Sequence, residues 1–207
     1  MPLPLTRLLR RWRYGDEIVV VSGLPRSGTS MMMKMLEAGG LQVTTDGVRE
    51  ADLDNPKGYY ELERVKNLEK ETDKSWVVES RGKVLKVISH LLEELPDDCF
   101  YRVIFMRRDL GEVVASQNKM LERRGEENPI EDERTTELYR KHIVQTKVMM
   151  RVRRNFELLE IQYTEALRDP VRFAAQVNDF LGGSLDEQHM AHAVDPTLYR
   201  NRAGPPG

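Results

Sequence analysis

Apolar and polar positions fall in blocks that alternate in period along the chain. Ile18-Val19-Val20-Val21 is a continuous apolar run, and Glu17 to Ser22 is predicted as a fully buried strand. Thr29 to Ala38 reads as a helix stopped by Gly39-Gly40, and Leu41 to Thr45 has the β-branched bias of a short strand. Asp46 to Tyr60 is a polar loop around the turn signal Asp54-Asn55-Pro56-Lys57-Gly58. Glu61 to Lys74 is predicted as a helix with Leu62, Val65 and Leu68 on one face. Strands are expected at Lys83 to Ile88 and at Tyr101 to Met106, the latter ended by Arg107-Arg108-Asp109. Leu110 to Arg123 carries Val113, Val114, Gln117 and Leu121 at helical spacing; Glu122 to Arg134 is mostly charge and reads as a surface loop. Thr135 to Asn155 is predicted as a long helix and Glu157 to Tyr163 as a last strand, with helices to about His192 and an irregular tail from Arg200 to Gly207.

This order predicts an α/β fold, a three-layer sandwich with a central, mainly parallel sheet flanked by helices, and the loop from Gly23 to Ser30 makes it P-loop-type. Ligands of such sheets bind beyond the carboxyl ends of the strands. The expected organisation is a basic N-terminal segment over 1–16, one domain over 17–195 and an irregular tail over 196–207. The length of 207 residues and the 40% hydrophobic fraction suit a single domain with a substantial core. Charged residues make up 32% but sum to a net charge of -2, which removes the basic excess expected of a nucleic-acid binder. The single cysteine, Cys99, excludes an internal disulfide framework and a cysteine-based zinc site. His90, His142, His189 and His192 do not supply metal-ligand spacing, and no metal is expected. No apolar stretch approaches the roughly 18 residues of a membrane span. Met1 to Tyr14 sets Arg7, Arg10, Arg11 and Arg13 among Leu3, Leu5, Leu8, Leu9 and Trp12, without the apolar core or cleavage site of a secretory signal. A cytoplasmic protein is expected. The segment itself reads either as a basic helix packed on the domain or as a short amphipathic helix in weak contact with an anionic membrane surface.

The chemistry begins at Gly23-Leu24-Pro25-Arg26-Ser27-Gly28-Thr29-Ser30, directly after the first apolar run. Strand, glycine-bracketed loop and helix start together let backbone N–H groups and a helix N-terminus converge on a phosphate. The spacing is that of a P-loop with Ser30 in the hydroxyl position, but the lysine position holds Thr29 and a cation appears earlier, at Arg26. That displacement argues against a magnesium-bound triphosphate. The second unit is Arg108-Asp109-Leu110-Gly111-Glu112-Val113-Val114-Ala115-Ser116. Arg108 stands at a strand end and Ser116 lies eight residues on, so a guanidinium fork and a hydroxyl can reach one anion from two sides. The bland alternative is that Arg108 pairs with Asp109 or Glu112.

With these units the chain resembles a sulfotransferase that uses PAPS (3′-phosphoadenosine 5′-phosphosulfate). The loop from Gly23 to Ser30 is similar to that family's 5′-phosphosulfate loop, and Arg108 to Ser116 to its 3′-phosphate motif. Tyr163-Thr164-Glu165-Ala166-Leu167-Arg168-Asp169-Pro170, ending in Asp179-Phe180-Leu181-Gly182, looks like a largely structural family stretch. Asn55-Pro56-Lys57-Gly58-Tyr59-Tyr60-Glu61 is similar to a segment of bacterial members. The resemblance implies PAPS as co-substrate without a metal, and in-line transfer of a sulfonyl group to a small-molecule, lipid or saccharide acceptor. It implies that Arg26 faces the sulfonate or the bridging oxygen. Ser27, Gly28, Thr29 and Ser30 would hold the 5′-phosphate, and Arg108 and Ser116 the 3′-phosphate.

Two departures from the family pattern leave choices open. Lys86 fits a family lysine, but the position two beyond it, where a histidine base is expected, is Ile88, followed by Ser89 and His90. Glu61 and His90 are therefore rival proton acceptors, with Glu50 and Asp52 weaker ones. The Arg-Lys-Gly segment that closes the 3′-phosphate site in many members is replaced by Tyr199-Arg200-Asn201-Arg202. Acceptor contacts are expected from Asp46 to Tyr60 and Glu122 to Arg134, the second acidic enough to favour a basic or neutral acceptor. A P-loop kinase of small molecules, with Asp109 on magnesium, and a non-catalytic nucleotide-binding relative are the competing readings.

Overall fold

A computed structural model describes residues 4–46, 60–126 and 128–198. The turn at 54–58, Glu50, Asp52, Arg200 and Arg202 lie outside the described residues. In chain order the elements are α1 (Pro4–Tyr14), β1 (Ile18–Gly23), α2 (Thr29–Ala38), β2 (Val43–Thr44), α3 (Glu63–Lys66), α4 (Ser75–Val78) and β3 (Val84–Lys86). A 3-10 helix (Ser89–Glu94) leads to β4 (Tyr101–Arg107), α5 (Leu110–Arg123), α6 (Asp132–Val152), β5 (Phe156–Gln162), α7 (Tyr163–Arg168), α8 (Pro170–Leu181) and α9 (Glu187–His192).

The strands form one parallel sheet in the order β2-β3-β1-β4-β5. The expected three-layer α/β architecture is what the chain adopts. Side chains alternate across β1: Ile18 and Val20 join Val113, Ile143 and Met150 of α5 and α6 on one face. Val19 and Val21 meet Met32, Met33, Met35 and Leu36 of α2 on the other, with Phe173 and Val177 of α8. After β1 the chain moves to the β2–β3 side, and after β4 to the β5 side, so the loops leaving these neighbours diverge and open a crevice at their carboxyl ends.

Three segments depart from expectation for identifiable reasons. The helix predicted from Glu61 to Lys74 is cut to α3, although Val65 and Leu68 are buried as the spacing required. Glu71 accepts a 2.7 Å hydrogen bond from the Trp76 indole and pairs with Arg64, folding the segment back on itself. Lys83 to Ile88 contributes only Val84–Lys86 to the sheet before turning into the 3-10 helix. The charged stretch expected as loop to Arg134 is already helical from Asp132. Within β4, Arg102 is buried and lies 2.9 Å from Glu17 and 3.4 Å from Glu157, and it donates to the Phe180 carbonyl. A buried guanidinium is tolerable only with such partners. Helix α1 of the N-terminal segment leans on the domain through Tyr14, whose ring centroid is 5.9 Å from that of Phe100, and Arg10, 4.6 Å from the same ring. No helix among the described residues is long and apolar enough to cross a membrane.

The 3-10 helix is fastened to α6 by a 2.8 Å hydrogen bond between Ser89 Oγ and His142 Nε2. Burial, and secondarily the neighbouring His90, lower the His142 pKa below its ordinary 6.5, against a smaller opposing effect of Glu93. An imidazole harder to protonate folded than unfolded contributes full stability at neutral pH and loses it as pH falls through the unfolded value. Thermal unfolding followed from neutral pH to about one unit below the ordinary histidine value is therefore expected to show a steeper fall in Tm for the parent than for His142→Gln. Parallel Tm–pH curves would remove His142 from the acid response.

Candidate functional site

The last pair of the β1–β4 ladder sets Gly23 opposite Met106, so the loop after Gly23 and the corner at Arg107-Arg108 start side by side. Ser27 closes the first loop: its N–H and its hydroxyl both donate to the Leu24 carbonyl, at 3.2 and 2.7 Å. Arg26 has φ 69° and Gly28 φ 98°. The left-handed region costs Arg26 strain that a glycine there would not carry. At Gly28 glycine is needed twice over, because a Cβ would come within 2.3 Å of the Tyr163 ring. α2 then begins at Thr29 with no side-chain cap on its N-terminus, leaving helix-end N–H groups for an acceptor that is not its own cap residue.

Two groups of side chains flank this loop. On the β4 side, Arg26 Nε donates to Ser116 Oγ at 3.0 Å, and Arg108 Nη1 donates to the Arg26 carbonyl at 3.1 Å. Arg108 Nε pairs with Glu112 at 2.8 Å, both side chains being buried, and its guanidinium carbon lies 5.0 Å from the Tyr163 ring centroid. The Glu112 pairing first raised as the bland alternative is thus present, and it orients the fork that reaches Arg26. Burial raises the Tyr163 pKa, so its hydroxyl stays protonated and offers Arg108 an aromatic face rather than a counter-charge. On the opposite side, Lys86 ends β3 beside β1 and is buried; its Nζ donates to Ser30 Oγ at 3.3 Å and lies 3.6 Å from Glu61 Oε1. Glu61 Oε2 is 3.5 Å from Lys66. The chain around Glu61 is pinned: Thr45 donates to its carbonyl at 3.0 Å, and the Glu63 N–H donates to Asp46 at 2.6 Å.

Of the residues singled out in the sequence, Arg26, Ser27, Gly28, Thr29, Ser30, Arg108 and Ser116 thus converge on one edge, with Lys86 and Glu61 beside them. The Arg26 side chain turns toward α5, and the cation beside Ser30 is Lys86. His90 is exposed on the 3-10 helix, whose neighbouring Ser89, Leu91 and Leu92 face inward. Tyr163 was not expected at the site, whereas Glu112 was expected only as a partner that would occupy Arg108. Their signals were positional: Tyr163 directly follows the strand β5, and Glu112 lies four residues after Arg108. Asp109 caps α5, accepting from the Glu112 N–H at 3.1 Å.

No protein-family model matches the chain, and comparison with curated proteins finds no match. Among solved structures the chain is similar to a sulfotransferase domain from the Synechococcus PCC 7002 olefin synthase, with 17% identity, 93% of this chain and 90% of that one covered, and a TM-score of 0.55. A mouse sulfotransferase, SULT7A1, complexed with PAP is 18% identical over 86% of this chain and 62% of that one, with a TM-score of 0.49. A sulfotransferase domain from the curacin biosynthetic pathway is 14% identical over 88% and 89%, with a TM-score of 0.46. The first of these likenesses establishes the fold: it is that of a sulfotransferase domain.

The approach of Gly28 to Tyr163 is open to direct test. Gly28→Ala is expected to lower unfolding free energy in urea by about 1–3 kcal/mol, combining backbone strain with the displaced ring. A variant as stable as the parent would mean that the loop does not pack on the tyrosine.

Proposed function

We propose that the chain is a sulfotransferase that moves the sulfonyl group of PAPS to a hydroxyl or amine of a small molecule, lipid or saccharide. The observation that carries this reading is the chain of contacts from Arg108 through the Arg26 backbone and side chain to Ser116. It joins a phosphate-type loop to a second anion-binding corner, and a nucleotide with phosphates on two different ribose positions needs two such sites.

The donors fit that ligand. Backbone N–H groups at Gly28, Thr29 and Ser30, with the Thr29 and Ser30 hydroxyls, hold the 5′-phosphate. Ser27 keeps the loop in shape through its two bonds to Leu24. Arg108 and Ser116 hold the 3′-phosphate. Arg26, between the two, and Lys86, beside Ser30, supply positive charge as negative charge grows on the oxygen that leaves sulfur. The acceptor oxygen or nitrogen forms the new bond to sulfur as the sulfur–oxygen bond to the 5′-phosphate breaks, releasing adenosine 3′,5′-bisphosphate. The acceptor's proton passes to the Glu61 carboxylate, which Lys66 and Lys86 hold in place next to the loop. His90, exposed on the 3-10 helix, is the weaker base. Asn118, Glu122, Glu126, Asn128, Glu131 and Asp132 line an open concavity between α5 and α6. Its charge disfavours a polyanionic acceptor by like-charge repulsion. The kinase reading is less well supported, because the Asp109 carboxylate serves as the α5 cap.

Incubation with sulfonate-labelled PAPS and a cell extract, followed by identification of the labelled product, is expected to show transfer. At saturating PAPS, Glu61→Gln is expected to lose more than about tenfold in kcat, or ~1.4 kcal/mol of barrier, and His90→Ala less than that. The reverse order would give the proton to His90. No labelled product from any extract would overturn the transferase reading.

A further inference from the structure

Helix α1 covers eleven residues, and its sides are sharply divided. Leu8, Leu9 and Trp12 are 67%, 61% and 88% exposed, the largest concentration of exposed apolar side chains close in sequence among the described residues. At about 100° per residue they fall within an arc of about 100°. Arg11 and Arg13, both exposed, flank that arc on its two sides. Arg10 and Tyr14 take the remaining side and rest on the domain, Arg10 against Glu157 and the Phe100 ring, Tyr14 against Phe100. The apolar stripe therefore points directly away from the protein.

From this division we propose that α1 docks the protein peripherally on an anionic lipid bilayer, with Leu8, Leu9 and Trp12 in the headgroup–acyl boundary and Arg11 and Arg13 on lipid phosphates. Three features single out this occupant. A tryptophan and leucines between arginines match the interface of apolar and charged layers that a bilayer presents. The helix contains no acidic residue, although the whole chain has a net charge of -2, so a second copy laid on it would bring arginines against arginines. The ion pair of Arg11 with Asp16, at 2.9 Å, joins two exposed groups and yields readily to phosphate. The helix leads into the amino end of β1, whereas the phosphate-type loop leaves its carboxyl end. A docked protein thus keeps the nucleotide edge turned away from the lipid, and docking and nucleotide binding are separable.

The test is co-sedimentation of the full chain with phosphatidylcholine vesicles that contain or lack phosphatidylserine. Binding is expected to be at least about tenfold stronger to the anionic vesicles and to weaken with salt. Leu8→Glu combined with Trp12→Glu is expected to abolish it, and Arg11→Gln with Arg13→Gln to reduce it by about tenfold or more. Both variants should keep the parent's thermal stabilisation by adenosine 3′,5′-bisphosphate, which reports an intact fold at the far edge of the sheet. Equal binding to both vesicle types, no binding to either, or undiminished binding of the Leu8→Glu, Trp12→Glu variant would overturn the proposal. So would a parent that ignores vesicles but forms a dimer that this variant dissolves.

Discussion

The register of β1 against β4 is the constraint on which the site depends. Ile18 opposite Tyr101 commits Gly23 to Met106 five residues later, and both strands end at the same height. Only then can the Arg108 guanidinium reach the Arg26 carbonyl, and Arg26 in turn reach Ser116. A slip by one residue would turn either Ile18 and Val20 or Val103 and Phe105 to the other face and break the site at once. The core and the candidate site are therefore specified by the same pairing, which the apolar residues stabilise and the polar residues use.

The charged side chains at the edge hold one another in place. Arg108 is held by Glu112, Arg26 by Ser116, and Lys86 by Ser30 and Glu61. Cations buried near one another repel, so counter-charges and hydroxyls must hold them in the absence of an anion. On the proposed function, a phosphate would meet side chains already oriented by these partners, which lowers the reorganisation that binding requires. Strain at Arg26 and the close approach at Gly28 belong to the same loop, which brings the Arg26 side chain to Ser116 and seats Gly28 on Tyr163.

Much of this was legible in the residues. The run Ile18 to Val21, the glycines at 23 and 28, and the helix from Thr29 to Ala38 appear where their pattern requires, because local propensity and burial agree there. Arg108 and Ser116 were singled out from their spacing behind a phosphate-type loop, and both meet Arg26 of that loop. Less legible was whatever depends on distant partners. The segment after Glu61 looked helical until the Trp76 indole claimed Glu71. The Arg26 side chain reaches Ser116 of α5 from a backbone with positive φ, which no pattern of side chains signals. Tyr163 stood in a stretch read as structural, yet it packs on both Gly28 and Arg108. That Lys86 and Lys66 both approach Glu61 could not be read along the chain, because these contacts form only in three dimensions.

The central claim is that two anion subsites on one edge recognise a single nucleotide carrying separate phosphates. Calorimetric titration with adenosine 3′,5′-bisphosphate and with adenosine 5′-monophosphate measures it most directly. Charge-assisted, buried bonds to the additional phosphate predict that the bisphosphate binds at least about thirtyfold more tightly, or ~2 kcal/mol, and that Arg108→Gln with Ser116→Ala removes most of the difference. Equal affinities for the two nucleotides in the parent protein, or a preference for ATP with magnesium over both, would contradict the account.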